Sequence, residues 1–178
     1  LIDVGIYFKR LKERMTETGL DISKIKAAFI SHEHTDHVQG ARVTSKRLNI
    51  PVWYSKKTYH KCYDKNKAPY ASFFEYGESY TIGKFTIFPF AKSHDAVDPG
   101  SFRIETEGKS IGVMTDIGEI NNTLAKEFSK CDAVFLESNY DPEMLSNGPY
   151  PWYLQQRVAS AKGHLSNGQA LELVESHA

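Results

Sequence analysis

An α/β fold is what this 178-residue sequence predicts, on three observations. Helix-like and strand-like patterns alternate along the chain rather than segregating. Four apolar runs each end in a residue able to bind a metal or move a proton. One of these ends carries His32-Glu33-His34-Thr35-Asp36-His37, four metal-capable side chains within six positions.

Lys9 to Thr18 has helical composition, with Gly19 placed to end it. Lys24 to Ile30 reads as a buried strand that runs into the histidine cluster. Gln39 to Asn49 reads as a helix and Pro51 to Tyr54 as a short strand. Ser79 to Ile82 and Lys84 to Phe90 make a hairpin pattern about Gly83, and Ser101 to Thr106 and Ser110 to Thr115 make another about Glu107-Gly108-Lys109. Ile120 to Ser129 is helical and Ala133 to Glu137 an apolar strand. Asn147 to Pro151 has loop composition. Trp152 to Ala161 and Asn167 to Ser176 complete the pattern as helices. The length fits one domain over 1–178. With no initiator Met and a last stretch that stops inside a helical pattern, the chain reads as part of a longer one.

The site residues follow from where the strands end. His32 follows Ile30, His94 follows Phe88-Pro89-Phe90, Asp116 follows Ile111-Gly112-Val113-Met114, and Glu137 follows Val134-Phe135-Leu136. Strand ends are where a rigid sheet hands residues to loops. In an extended segment, side chains two apart point the same way, so His32 and His34 can grip one cation. A turn just after would swing Asp36 and His37 toward a second. Imidazole with carboxylate suits Zn²⁺, and a mixed nitrogen and oxygen shell also accepts Mn²⁺.

The net charge of zero hides an asymmetry: residues 1–70 hold 14 Lys+Arg against 7 Asp+Glu, and residues 71–178 hold 8 against 15. The basic excess is densest from Arg42 to Lys67, with Lys46, Arg47, Lys56, Lys57 and Lys61 between them and Trp53, Tyr54, Tyr59, Tyr63 and Tyr70 interleaved. Two readings stay open. The segment is a solvated helix face over core aromatics, or a surface that tracks a phosphate backbone and stacks on bases. No apolar run reaches the ~20 residues of a membrane span, and no secretory signal opens the chain. Cys62 and Cys131 form no CxxC, which favours thiols in a reducing cytoplasm over a disulfide.

The ordered set His32, His34, Asp36, His37, His94 and Asp116 resembles the metallo-β-lactamase superfamily, and Asp3-Val4-Gly5 resembles the aspartate–glycine motif that precedes its metal loop. The resemblance implies an αββα sandwich, here truncated at both ends, without the opening strands or the closing strand that carries the last metal histidine. It implies two divalent cations, with His32, His34 and His94 on the first, Asp36 and His37 on the second, Asp116 bridging them, and Asp3 supporting the ligand loop. Phe135-Leu136-Glu137-Ser138-Asn139-Tyr140-Asp141 and Gly163-His164-Leu165-Ser166-Asn167 resemble the YycJ/WalJ-type branch, regarded as DNA-directed phosphodiesterases and 5′→3′ exonucleases. The second segment is also similar to that of tRNA 3′-processing endonucleases, which implies that Glu137 and His164 assist the leaving group. The catalytic set implied is thus Asp36, Asp116, His164 and Glu137, acting through a water shared by the metals. Two alternatives remain: an acyl hydrolase for a lactone or thioester on the same fold, and a non-catalytic metal-binding remnant.

Overall fold

The computed structural model describes residues 1–177, and these fall into two compact units: Leu1–Gly83 with Ala96–Asp98, and Lys84–Asp95 with the chain from Pro99 onward.

The first unit is built on a parallel sheet. Helix α1 (Phe8–Glu17) is followed by a 3-10 turn at Ile22–Lys24 that the Asp21 carboxylate caps by accepting the Ser23 N–H. That turn consumes the start of the expected Lys24–Ile30 strand, so β1 is only Ala28–Phe29. Then come α2 (Thr35–Val38), α3 (Ala41–Leu48), β2 (Val52–Tyr54), α4 (Lys56–Lys61), β3 (Ala71–Phe73) and β4 (Tyr80–Ile82). The order is β1-β2-β3, all parallel, with Ala28 opposite Val52 and Val52 opposite Ala71. Parallel neighbours require a crossover, and the helices between the strands supply it. Val4, Ala28, Ile30, Val38, Ala41, Val52 and Tyr54 form the core. Ala27 to Ile30 are buried without alternation, as expected for a strand covered on both faces.

The second unit is a mixed sheet. Strands β5 (Phe85–Ala91), β6 (Gly100–Thr106) and β7 (Lys109–Met114) are antiparallel in that order, and β8 (Ala133–Leu136) lies parallel beside β7. The β6–β7 turn is the two-residue kind that matches strand twist: Glu107 and Gly108 both have positive φ, 51° and 76°. Helix α5 (Asn122–Phe128), capped by the Asn121 side chain, makes the crossover to β8. Helices α6 (Pro142–Asn147), α7 (Trp152–Val158) and α8 (Asn167–His177) follow. Phe90, Met114, Ile117, Leu124, Phe128, Leu165 and Leu173 form the core.

Beyond the 3-10 turn at Ile22–Lys24, three elements lie outside the expectations: α4, α6 and β3. Two of them carry legible caps. Ser55 accepts the Thr58 N–H at the start of α4, and Asp141 accepts the Met144 N–H with Pro142 at the first helical position of α6. Cys62 is buried, Cys131 half-buried, and both are free thiols; burial raises the Cys62 pKa to about 11. Among the described residues no helix is long and apolar enough to cross a membrane.

One buried charge holds the second sheet to its crossover helix. Arg103 on β6 is 5% exposed, donates from Nε to Glu127 Oε2 of α5 at 2.7 Å, pairs with Glu105, and lies 4.1 Å from the centre of the Phe88 ring. Burial pushes the Glu127 carboxyl up, but hydrogen bonds from Lys130 and Arg103 win and hold it below the usual carboxylate value. A depressed carboxylate contributes stability above its unfolded pKa and loses it as pH falls through the folded one. Glu127→Ala should therefore cost about 2–3 kcal/mol near neutrality, because it leaves a buried guanidinium with only one of its two carboxylates, Glu105. Urea titrations should show the gap from the unaltered protein narrowing in acid.

Candidate metal centre

In the first unit the histidine cluster is held by the chain's opening residues. The Asp3 carboxylate accepts the Ser31 N–H at 2.7 Å and the Ser31 hydroxyl at 2.8 Å, and His37 Nδ1 meets Asp3 Oδ2 at 2.8 Å. Backbone bonds repeat the connection: Asp3 N–H to Phe29, Val4 N–H to His37, and Gly40 N–H to Val4. Gly5 is a requirement of this approach, since a Cβ there would collide with the Asp36 carbonyl. Asp3 itself has φ 53°, a left-handed conformation that Asp tolerates better than most side chains.

These bonds assign the ring tautomers. The Ser31 hydroxyl gives its one proton to Asp3, so it accepts from His32 Nδ1–H at 2.8 Å, and the His32 lone pair lies on Nε2. Likewise His37 donates from Nδ1 to Asp3 and carries its lone pair on Nε2, which is 3.6 Å from Asp36 Oδ2. His32 Nε2 and His34 Nδ1 are 3.0 Å apart. Two nitrogens on one tetrahedral Zn²⁺ at ~2.0 Å stand about 3.3 Å apart. The donor set therefore fits a zinc-like cation in the assigned tautomers of His32 and His37 and in the nitrogen spacing of His32 and His34. The turn expected after His34 is real, being helix α2, and Asp36 and His37 are in it.

The second unit contributes another set. His94 is buried, its Nδ1–H donates to the Gly163 carbonyl at 3.1 Å, and burial lowers its pKa, so it is a neutral imidazole with its lone pair on Nε2. Asp116 has φ 51° just past β7. Glu137, at the end of β8, is 8% exposed and its Oε2 accepts the Ile117 and Leu165 N–H groups at 2.6 and 3.2 Å. Its Oε1 takes His164 Nδ1–H at 2.6 Å, and Asp116 Oδ1 lies 3.8 Å from the same nitrogen. The hydrogen bond that His164 donates to Glu137 raises the His164 pKa against the pull of burial. His164 does not cap α8. Ser166 does, in a reciprocal pair with Gln169.

Several positioning residues carry no sequence signal that separates them from spacers. Ser31 is one, and Glu33, whose Oε1 accepts the Val97 N–H at 2.9 Å, is another. The basic segment divides. Arg42, Lys46 and Arg47 on α3 and Lys56, Lys57 and Lys61 on α4 are all exposed. Arg42 reaches the Asp64 and Lys67 carbonyls, Lys56 lies near Glu75, and Lys57 near Asp98. Of the aromatics expected among them, Trp53 stacks on Phe29 and Tyr54 is core, so only Tyr63 and Tyr70 are exposed.

A parallel sheet with a crossover helix, a mixed sheet, and histidine and aspartate donors at strand ends define a class. The chain belongs to the metallo-β-lactamase superfamily: the family profile described as "Beta-lactamase superfamily domain" matches residues 1–177. Among proteins of known name it is 32% identical over 177 residues to exodeoxyribonuclease WalJ of Streptococcus pneumoniae serotype 2 (strain D39 / NCTC 7466), which covers 97% of this chain and 66% of that protein. It is 28% identical over 173 residues to exodeoxyribonuclease YycJ of Bacillus anthracis, covering 96% of this chain and 66% of that one. The chain thus spans about two thirds of the length of these relatives. Among solved structures, the metallo-β-lactamase fold protein YhfI from Bacillus subtilis superposes with a TM-score of 0.70 at 17% identity, covering 99% of this chain and 69% of that one. The α/β fold expected from the sequence is therefore the metallo-β-lactamase fold.

The close approach at Gly5 gives a direct test. Gly5→Ala should destabilise the protein by about 1–3 kcal/mol through overpacking. It should also weaken zinc binding at least tenfold by displacing the Asp36–His37 turn, as read by urea titration and a competitive zinc indicator.

Proposed function

We propose that the full-length protein is a dinuclear metal-dependent hydrolase that cleaves DNA phosphodiester bonds as a 5′→3′ exonuclease. His32, His34 and His94 would hold one cation, Asp36 and His37 a second, and Asp116 would bridge them, with Zn²⁺ favoured and Mn²⁺ accepted in the second position. Family membership and the names of WalJ and YycJ support this assignment, as do the tautomers that leave Nε2 of His32, His37 and His94 as donors. When bound, such a metal pair supplies an activated water and neutralises charge on the phosphate oxygens.

The chain's own residues do the rest. Asp3 and Ser31 keep two donor imidazoles, His32 and His37, in one orientation, so little reorganisation accompanies the reaction. The observation that carries the reading is the 2.6 Å bond between Glu137 and His164. A sugar oxygen is a poor leaving group until it is protonated. Glu137, pinned by two amides, holds the His164 ring by Nδ1 and raises its pKa, so Nε2–H is available to the departing oxygen near neutral pH. Asp36 and Asp116 act as charge partners of the metals rather than as proton carriers.

Two variants test the roles together. Asp116→Asn should abolish metal-dependent DNA digestion with the fold retained. His164→Ala should slow an ordinary DNA diester about a hundredfold or more, and a nitrophenyl nucleotide ester far less. Equal slowing on both substrates would remove the general-acid role, and turnover of lactones or thioesters with no action on DNA would favour the acyl-hydrolase reading.

The exposed cations supply the phosphate contacts in this account. Among the described residues Lys46, Arg47 and Lys61 have no protein partner, so they are the ones ready to meet a backbone. Reversing all three to Glu should weaken DNA binding across sequences and flatten the dependence of log K on log salt by up to about three units.

A further inference from the structure

The sequence between Glu143 and Glu172 contains no Asp or Glu, although the unit around it is acidic. Within that stretch stand Arg157, Lys162 and three aromatic rings at Tyr150, Trp152 and Tyr153. These rings are 55%, 73% and 69% exposed. Among the described residues none of the three stacks on another ring. Single exposed rings are ordinary on a surface, but three within four positions make a cluster whose faces are open to solvent.

The segment that carries them is bonded to the His94–His164 part of the site. Helix α7 begins at Trp152, and its entry loop is braced where Gln155 Nε2 donates to the Tyr150 and Ser146 carbonyls. At its other end, His164 N–H donates to the Val158 carbonyl at 2.8 Å, and a Cβ on Gly163 would strike the Arg157 and Val158 carbonyls. Arg157 Nε donates to Asp95 at 2.6 Å, Ser93 Oγ–H donates to the Ala161 carbonyl at 2.6 Å, and Gly163 receives the His94 ring. One end of α7 is thus tied to the loops of both histidines, and the other presents the rings. Seven helical residues span about 10 Å, a few nucleotides of an extended strand.

We propose that Tyr150, Trp152 and Tyr153 form a stacking platform for unpaired bases of a single-stranded DNA end, with Lys162 on the same segment meeting its phosphates while Arg157 stays on Asp95. This rests on the DNA reading above. Ring faces bind bases without regard to sequence, and the segment has no Asp or Glu of its own while Arg157 neutralises the neighbouring Asp95, so a polyanion can approach. The platform is a specificity device: it recognises bases, whereas the metal pair recognises phosphate.

The test uses metal-loaded full-length protein and Trp152 fluorescence, which Trp53, stacked on Phe29, does not duplicate. A phosphorothioate oligothymidylate should quench the emission, and an abasic chain of equal length and charge should not. Trp152→Leu with Tyr153→Leu should lose the quenching and raise KM for single-stranded DNA about tenfold or more, with turnover of a nitrophenyl nucleotide ester unchanged. Equal binding of the abasic chain, or an unchanged KM, would overturn the platform and leave the hydrolase reading intact. Self-association that the double variant abolishes, with DNA binding unchanged, would also overturn it and make the patch an interface. If the protein cleaves no DNA, the hydrolase reading fails, and the quenching comparison still decides the platform.

Discussion

The carboxylate of Asp3 is the constraint on which the ligand loop depends. It takes a backbone amide and a hydroxyl from Ser31 and an imidazole N–H from His37, and through Ser31 it also sets the His32 ring. An isolated loop of six polar residues would hydrogen-bond to water and sample many ring orientations, at a cost of roughly a kcal/mol per ordered side chain. Here the ordering is done by folding. Glu137 repeats the device in the other unit, with two amides on one oxygen and the His164 ring on the other. Each carboxylate sets the posture of an imidazole and fixes which of its nitrogens carries the proton.

Much of this was legible in the sequence because it rests on short-range pattern. The donors sit at strand ends, and strand ends are marked by a change from apolar to polar residues. His94 and Asp116 follow β5 and β7 as that change suggests. The β6–β7 hairpin was visible in Gly108 between two strand patterns, because glycine supplies a positive φ without strain; the positive φ of Glu107 has no such signal.

What escaped depends on partners distant in sequence. The roles of Ser31 and Glu33 exist only through Asp3 and Val97. Strand β3 is three residues long and is a strand only because β2 offers it an edge. The interleaved aromatics show the same limit: Trp53 and Tyr63 look alike as letters in a basic run, yet β2 turns Trp53 onto Phe29 while Tyr63 stays in water. The exposed rings near α7 carry no sequence signal, since a loop rich in Pro, Gly and Tyr is common, and only their exposure distinguishes them.

The left-handed backbone at Asp116 has an evolutionary corollary. At φ 51° the residues that fit with little strain are Gly, Asn and Asp, and Asn copies the shape of Asp without its charge. Drift at this position is therefore channelled toward a substitution that keeps the scaffold and, given the proposed metal-bridging role, discards the chemistry. A lineage released from selection for hydrolysis would pass first through folded, inert descendants, which are the raw material from which a binding protein of the same shape could be recruited.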